Sequence, residues 1–288
     1  MDFHFYKYHA LGNDYIVIDP QKTSVHLSEE NIRLICHRNF GVGSDGILYG
    51  PLFLDNSIHF KILNPDGSEA EKSGNGIRIF SRYLFDAGYL KSKEFNLETL
   101  GGTVHVEILN ATASRIKVDM GVVTFESEKI PVHGICREVV NEKLEIEGQI
   151  YSMTCLSVGN PHCVIPMDTI SKELAEKIGP IIENYELFPN RINVQLLKVL
   201  DRHNILIEIW ERGAGYTLAS GSSSCAAASV AFKLGLVDNV IDVHMPGGTI
   251  NIVIDHDRHV HMTGSVTGVS QGKFMDDLWA KIKIDEFN

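Results

Sequence analysis

The feature that most constrains how this chain can fold is an internal repeat, in which several local patterns recur at one fixed offset, the distance from Ser73 to Ser220. Ala10-Leu11-Gly12-Asn13-Asp14-Tyr15-Ile16-Val17-Ile18 falls on Ser157-Val158-Gly159-Asn160-Pro161-His162-Cys163-Val164-Ile165, matching the Gly-Asn pair and the Val-Ile that follows. Both read as a turn beside a strand. Phe60-Lys61-Ile62-Leu63 falls on Ile207-Glu208-Ile209-Trp210, each alternating with period two. A polar turn follows in both places, then Ser73-Gly74 falls on Ser220-Gly221. Residues 75–87 and 222–234 read as apolar-rich helices, and Gly88 and Gly235 stand where a glycine C-cap belongs.

Strand, turn, Ser-Gly, helix and terminal glycine in one order at one offset predict a duplicated architecture. Between these landmarks lie short alternating segments, residues 102–109, 115–119 and 248–255, which predict antiparallel sheet. The expected class is therefore α+β in two pseudo-symmetric halves, each a curled, mostly antiparallel sheet around a central helix. The expected division is an N-terminal domain of residues 1–122 joined by about 268–288, and a C-terminal domain of residues 123–267. The crossover is expected near residues 121–131.

With 288 residues, 44% of them hydrophobic, the chain can bury a real core. Its net charge of −11 comes without a basic block, which argues against a nucleic-acid or anionic-membrane surface and for a small-molecule ligand. The N-terminus shows no apolar run after a charged start and no later stretch approaches a membrane span, so a cytoplasmic protein is expected. Cys36, Cys136, Cys155, Cys163 and Cys225 are odd in number and lack CxxC spacing, which suggests neither a disulfide framework nor a zinc site. No GxGxxG that follows a strand and opens a helix, and no P-loop, is found.

In each half a strand leads through a turn into the first turn of a helix, so the N–H groups at Gly74-Asn75-Gly76 and Gly221-Ser222-Ser223 would suit an anion. If the halves face one another, Ser73 and Ser220 lie on opposite sides of one ligand. That suits inversion at an amino-acid α-carbon, where one group removes the proton and another returns one from the opposite face. The plainer alternative is that both serines are N-caps. Likewise Asn13, Asn64, Asn160 and Asn193 could be turn-forming asparagines, and Glu211-Arg212 a surface ion pair.

These residues carry a resemblance to the diaminopimelate epimerase family over most of the chain. Lys7-Tyr8-His9-Ala10-Leu11-Gly12-Asn13-Asp14-Tyr15 resembles its N-terminal segment, and Gly41-Val42-Gly43-Ser44-Asp45-Gly46 its next glycine turn. Asn64-Pro65-Asp66-Gly67-Ser68-Glu69-Ala70 with Ser73-Gly74-Asn75-Gly76-Ile77-Arg78 resembles its first catalytic loop. Gly159-Asn160-Pro161-His162, Asn193-Val194, Glu211-Arg212-Gly213-Ala214-Gly215 and Ser220-Gly221 resemble the second half's set. The resemblance implies two pseudo-symmetric domains and conversion of LL- to meso-diaminopimelate, toward lysine and peptidoglycan precursors. It implies no organic cofactor, no metal and a homodimer.

By the same resemblance Ser73 and Ser220 hold the positions of the thiolate base and thiol acid. Asn13, Asn64, Asn160, Asn193, Glu211 and Arg212 hold those that grip the distal amino and carboxylate groups. Asn75, Gly76, Gly221 and Ser222 would offer amides to the reacting carboxylate. The sequence departs from the pattern at four positions: the family has cysteine at 73 and 220, glycine at 223 and glutamate at 216, where this chain has Ser73, Ser220, Ser223 and Tyr216. A serine hydroxyl is a far weaker acid than a thiol. A slow epimerase, an enzyme for another α-amino acid and a binding protein without chemistry all remain open, with His9 and His162 as candidate activating bases.

Overall fold

The computed structural model describes residues 4–23 and 25–282. The chain divides into two compact units, Met1–Val118 with Ser265–Asn288, and Asp119–Gly264.

Unit 1 runs β1 (His4–Ala10), β2 (Asn13–Ile18), α1 (Glu29–Cys36), β3 (Ile47–Leu54), β4 (Ser57–Leu63), α2 (Gly74–Asp86), β5 (Glu94–Thr99), β6 (Gly102–Ile108) and β7 (Arg115–Val122). Unit 2 runs β8 (Glu142–Ile146), β9 (Gln149–Ser157), β10 (Pro161–Pro166), α3 (Lys172–Glu183), β11 (Asn193–Asp201), β12 (Asn204–Glu211), β13 (Gly215–Thr217), α4 (Gly221–Lys233), β14 (Val240–Met245), β15 (Gly248–Ile254) and β16 (His259–Ser265). The chain then returns to unit 1 as β17 (Thr267–Lys273), antiparallel to β1, and the short α5 (Asp276–Trp279).

Strand pairing repeats as the sequence does. β1–β2 is antiparallel, β2–β3 parallel, β3–β4 antiparallel, β4–β5 parallel and β5–β6 antiparallel. In unit 2, β9–β10, β10–β11, β11–β12, β12–β14 and β14–β15 follow the same order of directions. Even register is kept: Ile16 pairs with Ile47, and Cys163, displaced by the repeat offset, pairs with Val194, displaced by the same amount. Mixed sheet with alternating burial, as in Val240–Met245, and few helices is the α+β class expected.

Each of the two repeated helices has a serine N-cap and a glycine just beyond its end. α2 is C-capped by Ala87 with Gly88 at φ 77°, and α4 by Leu234 with Gly235 at φ 70°, the left-handed conformation glycine adopts without Cβ strain. α2 buries Ile77, Phe80, Tyr83 and Leu84, and the Phe80 ring stacks on Phe60 at 4.3 Å. α4 is enclosed through Ala231, with Cys225, Ala226, Ala227, Ala228, Val230 and Ala231 having no exposed surface, and becomes exposed only at Phe232 and Lys233. It packs on β9 to β12, β14 and β15, and its small side chains are what allow so close an approach.

α1 and α3 were not anticipated. α1 is short, capped by Ser28 with Glu29 and Glu30 in its first turn. α3 carries Pro180 internally, and a Cβ on its Gly179 would stand 2.5 Å from Trp210 Cγ, so glycine is what lets the indole lie against the helix. No helix among the described residues is long and apolar enough to cross a membrane.

Candidate functional site

In unit 1, Ser73 sits in extended backbone before α2, and its Oγ accepts the Gly76 N–H at 3.1 Å. The same oxygen lies 3.4 Å from the Tyr15 hydroxyl. Behind it a chain of side chains ties the 11–13 turn to the helix. Asn13 Nδ2 donates to Asp45 at 2.9 Å, Asn75 Nδ2 donates to Asn13 Oδ1 at 3.0 Å, and Arg78 donates to Asn75 Oδ1 at 2.7 Å and to the Gly74 carbonyl at 3.2 Å. Arg78 is wholly buried, so its positive charge adds to the positive end of the helix dipole. Asn64 closes its own turn: its N–H and Nδ2 donate to the Ser68 carbonyl and hydroxyl, and its carbonyl accepts the Gly67 N–H.

In unit 2, Ser220 is buried, and its Oγ accepts the Ser223 N–H at 3.4 Å and stands 3.4 Å from the Ser222 hydroxyl. Asn193 Oδ1 accepts the Arg212 N–H at 2.9 Å while its Nδ2 donates to the Pro161 carbonyl at 2.8 Å. The Arg212 guanidinium donates to the Asn190 carbonyl. Glu211 is half-buried at the end of β12, and its carbonyl accepts the Ala214 N–H. The buried Glu183 carboxylate holds the same turn, accepting from Gly213 N–H at 3.0 Å, Trp210 Nε1 at 2.7 Å and Arg191 at 3.0 Å.

His162 is wholly buried between Asn160 at 2.9 Å and Gln195 at 3.2 Å. Burial pushes its pKa down to about 3; the Gln195 hydrogen bond opposes this, and the nearby Arg212 charge adds to it. The ring is therefore neutral at physiological pH. His9, the other candidate base, accepts the Gly12 N–H on Nδ1 and so braces the 11–13 turn. Tyr216, at the position of the family's glutamate, donates to Glu208 at 2.6 Å beneath the Lys172 ammonium.

The local geometry thus gives each unit a serine at a helix N-terminus, with the first-turn N–H groups of Gly221 and Ser222 lacking intrahelical partners by their position. The N–H of Gly76 is already committed to Ser73, and that of Ser223 to Ser220. Such termini favour a carboxylate. The sequence model of the family described as "Diaminopimelate epimerase" matches residues 5–126 and 154–269.

The chain belongs to the diaminopimelate epimerase family.

Among curated members, it is 57% identical to Diaminopimelate epimerase 2 of Nostoc sp. (strain PCC 7120), covering 96% of this chain and 97% of that protein. It is 38% identical to Diaminopimelate epimerase of Methanothermobacter thermautotrophicus, covering 95% and 99%. In fold it is similar to a hydroxyproline epimerase from Agrobacterium vitis, solved with trans-4-hydroxy-L-proline, with a TM-score of 0.70 at 12% identity over 94% of this chain and 92% of that one. A Bacillus anthracis PhzF-family phenazine biosynthesis protein gives 0.62 at 16% identity, over 96% and 99%.

Against the diaminopimelate epimerase pattern, the residues named from sequence fall into two local groups. Asn13, Asn75, Gly76 and Ser73 are brought together at the start of α2, with Asn64 in its own turn. Asn193 and Arg212 join at the end of β12, Asn160 meets His162, and Ser220, Gly221 and Ser222 open α4. Tyr15 was read only as part of a motif, and Glu183 and Gln195 were not named from sequence. Gln195 had one signal, since it is polar where the repeat places the apolar Leu48.

Proposed function

We propose that the chain is a cofactor-independent isomerase that inverts the α-carbon of LL-diaminopimelate to give the meso form, a step toward lysine and peptidoglycan precursors. The observation that carries this is the serine N-cap repeated in both units, at the positions of the family's two cysteines. In this reading Ser73 and Ser220 are the two acid–base positions: one, as its alkoxide, takes the α-proton and becomes a hydroxyl, while the other hydroxyl delivers its proton to the opposite face and is left as the alkoxide. Asn75, Gly221 and Ser222, at the positive ends of α2 and α4, offset the charge that develops on the carboxylate. Gly76 contributes through the cap it makes with Ser73. Asn13, Asn64, Asn160, Asn193, Glu211 and Arg212 hold the distal amino and carboxylate groups, and Arg212 is suited to meet a carboxylate with two N–H donors. A cytoplasmic homodimer completes the proposal.

A second reading is favoured by the same two serines. Each Oγ already accepts a helix N–H, and a hydroxyl is almost never ionised near neutrality, so a protein that binds the amino acid without inverting it also fits. Proton NMR of LL-diaminopimelate in deuterated water with the purified protein separates the two. Loss of the α-proton signal and growth of the meso isomer support the epimerase. Calorimetric binding without exchange supports the binding protein, and neither binding nor exchange removes diaminopimelate as the ligand.

A further inference from the structure

In unit 2 one buried carboxylate brackets the dipeptide Glu211-Arg212. Glu183 is the last residue of α3 and is almost wholly enclosed. Its Oε1 accepts the Gly213 N–H at 3.0 Å and an Arg191 N–H at 3.0 Å, and its Oε2 accepts the Trp210 indole N–H at 2.7 Å. Trp210 stands on one side of the dipeptide and Gly213 on the other. Arg191 follows Asn190, whose carbonyl accepts from the Arg212 guanidinium at 3.0 Å. The backbone around Arg212 and the acceptor for its side chain are thus both anchored to one carboxylate.

Two observations separate this carboxylate from an ordinary helix end. The C-terminus of a helix is its negative end, where a carboxylate is disfavoured, and burial adds to the cost. The group persists there only with strong donors, and all three come from the 210–213 turn or from the loop before β11. The second observation is the repeat, which places Cys36, Ser44 and Leu63 where unit 2 has Glu183, Arg191 and Trp210. Cys36 is likewise the last residue of its helix, α1, and the Ser44 hydroxyl lies 3.4 Å from its Sγ. The contact is kept in both units, yet it is ionic only in the unit whose turn carries an arginine. At the position of Arg212, unit 1 has Pro65.

We propose that Glu183, paired with Arg191, is a positioning residue for the distal end of the ligand: it fixes the turn that presents Arg212 before the ligand arrives, so that the guanidinium meets a carboxylate without first having to be ordered. That Arg212 meets a distal carboxylate rests on the proposed function; the fixing of the turn does not. Both Glu183 oxygens face N–H donors. Glutamine, although the same size, must therefore aim its NH2 either at the Gly213 and Arg191 donors or at the indole N–H, and one side of the bracket opens.

The test sets diaminopimelate against lysine, which keeps the reacting end and the distal amino group but has no distal carboxylate. By calorimetry the wild type is expected to favour diaminopimelate. Glu183→Gln is expected to weaken diaminopimelate about tenfold and to leave lysine unchanged. Equal losses for the two ligands, or no loss, overturn the proposal, because a merely structural carboxylate has no means of telling them apart. Arg191 is half exposed, so Arg191→Met leaves the buried packing in place, and it is expected to lower the same ratio about threefold. If Glu183→Gln does not fold, an unchanged ratio in Arg191→Met overturns the proposal. A second readout is the indole 15N–H signal of Trp210, assigned by its loss in Trp210→Phe. It is expected downfield and slow to exchange in wild type, and upfield and faster in Glu183→Gln; a signal that does not move overturns the fixing of the turn. A wild type that binds diaminopimelate no better than lysine overturns the distal role given to Arg212, and the indole signal then decides by itself whether Glu183 holds the turn.

Discussion

Asn193 Oδ1 accepts the backbone N–H of Arg212 at 2.9 Å, while the same side chain donates from Nδ2 to the Pro161 carbonyl at 2.8 Å. A single buried amide therefore joins the turn after β12 to the start of β10. Asn193→Ala leaves a main-chain donor and an acceptor unmatched, which costs about 1–3 kcal/mol for each group that water cannot reach. The urea midpoint should fall accordingly. Asn193→Asp keeps the acceptor for Arg212 and should fall between the two.

Arg212 depends on that clamp for its placement. Arg212→Ala is expected to weaken diaminopimelate binding at least tenfold by calorimetry, since a carboxylate would lose its partner at a cost of about 2–5 kcal/mol. Diaminopimelate should also bind better than alanine, which has no distal end to grip. An unchanged dissociation constant, with circular dichroism showing an intact fold, would mean that the guanidinium serves only its bond to the Asn190 carbonyl.

What the sequence made legible were features with a local cause. Ser73 and Gly88, like Ser220 and Gly235, mark helix ends by cap chemistry that acts within a few residues, so α2 and α4 could be placed to within a residue. The alternation over β6, β7 and β15 marked strands for the same reason. α1 and α3 were missed because one is only eight residues long and the other has a proline inside it. Gln195 and Ser223 could not be joined from sequence, since 28 residues separate them and only the folding of β11 against α4 brings an amide to a hydroxyl. Glu183 was invisible likewise, as its three donors come from Arg191, Trp210 and Gly213.

Asp14 links the Asn13 turn to two cations, accepting from Lys7 at 2.8 Å and Arg38 at 2.8 Å. Burial alone would raise its pKa, but the Arg38 and Lys7 hydrogen bonds and charges outweigh it, and its folded pKa is lowered from 3.8. The carboxylate thus stabilises the fold above the unfolded value and loses that contribution as pH falls through the lower folded one. Asp14→Asn should be less stable than wild type at pH 7, and the gap in thermal midpoint should narrow below about pH 4.

His162 has the opposite linkage to a salt-bridged histidine. Its folded pKa is depressed to about 3, against about 6.5 in an unfolded chain, so unfolding takes up a proton throughout that window. Stability should therefore rise with pH from about 3 to 6.5 and then level off. Urea midpoints measured from pH 4 to 8 should show this slope in wild type. His162→Gln, though less stable at pH 7, should show a shallower one; equal slopes would mean that the imidazole is already charged in the fold.

The last prediction concerns the serines themselves. Ser73 and Ser220 each stand one residue before a helix, where a thiol would gain from the dipole and ionise more readily than its unperturbed pKa of about 8.5 allows. The double change Ser73→Cys and Ser220→Cys should raise α-hydrogen exchange of LL-diaminopimelate by orders of magnitude, because a thiolate replaces a hydroxyl that is almost never ionised. Either single change should help less, since inversion needs a competent group on each face. Sulfur is also the poorer cap for the Gly76 and Ser223 N–H groups, so the double variant should lose about 1 kcal/mol of stability, visible as a lower urea midpoint. Ser223→Gly and Tyr216→Glu, added to the double variant, should raise the rate further if those two departures tune the surroundings of the reacting groups. A double variant that binds diaminopimelate yet exchanges no faster than wild type would mean that the two serines are helix caps and nothing more.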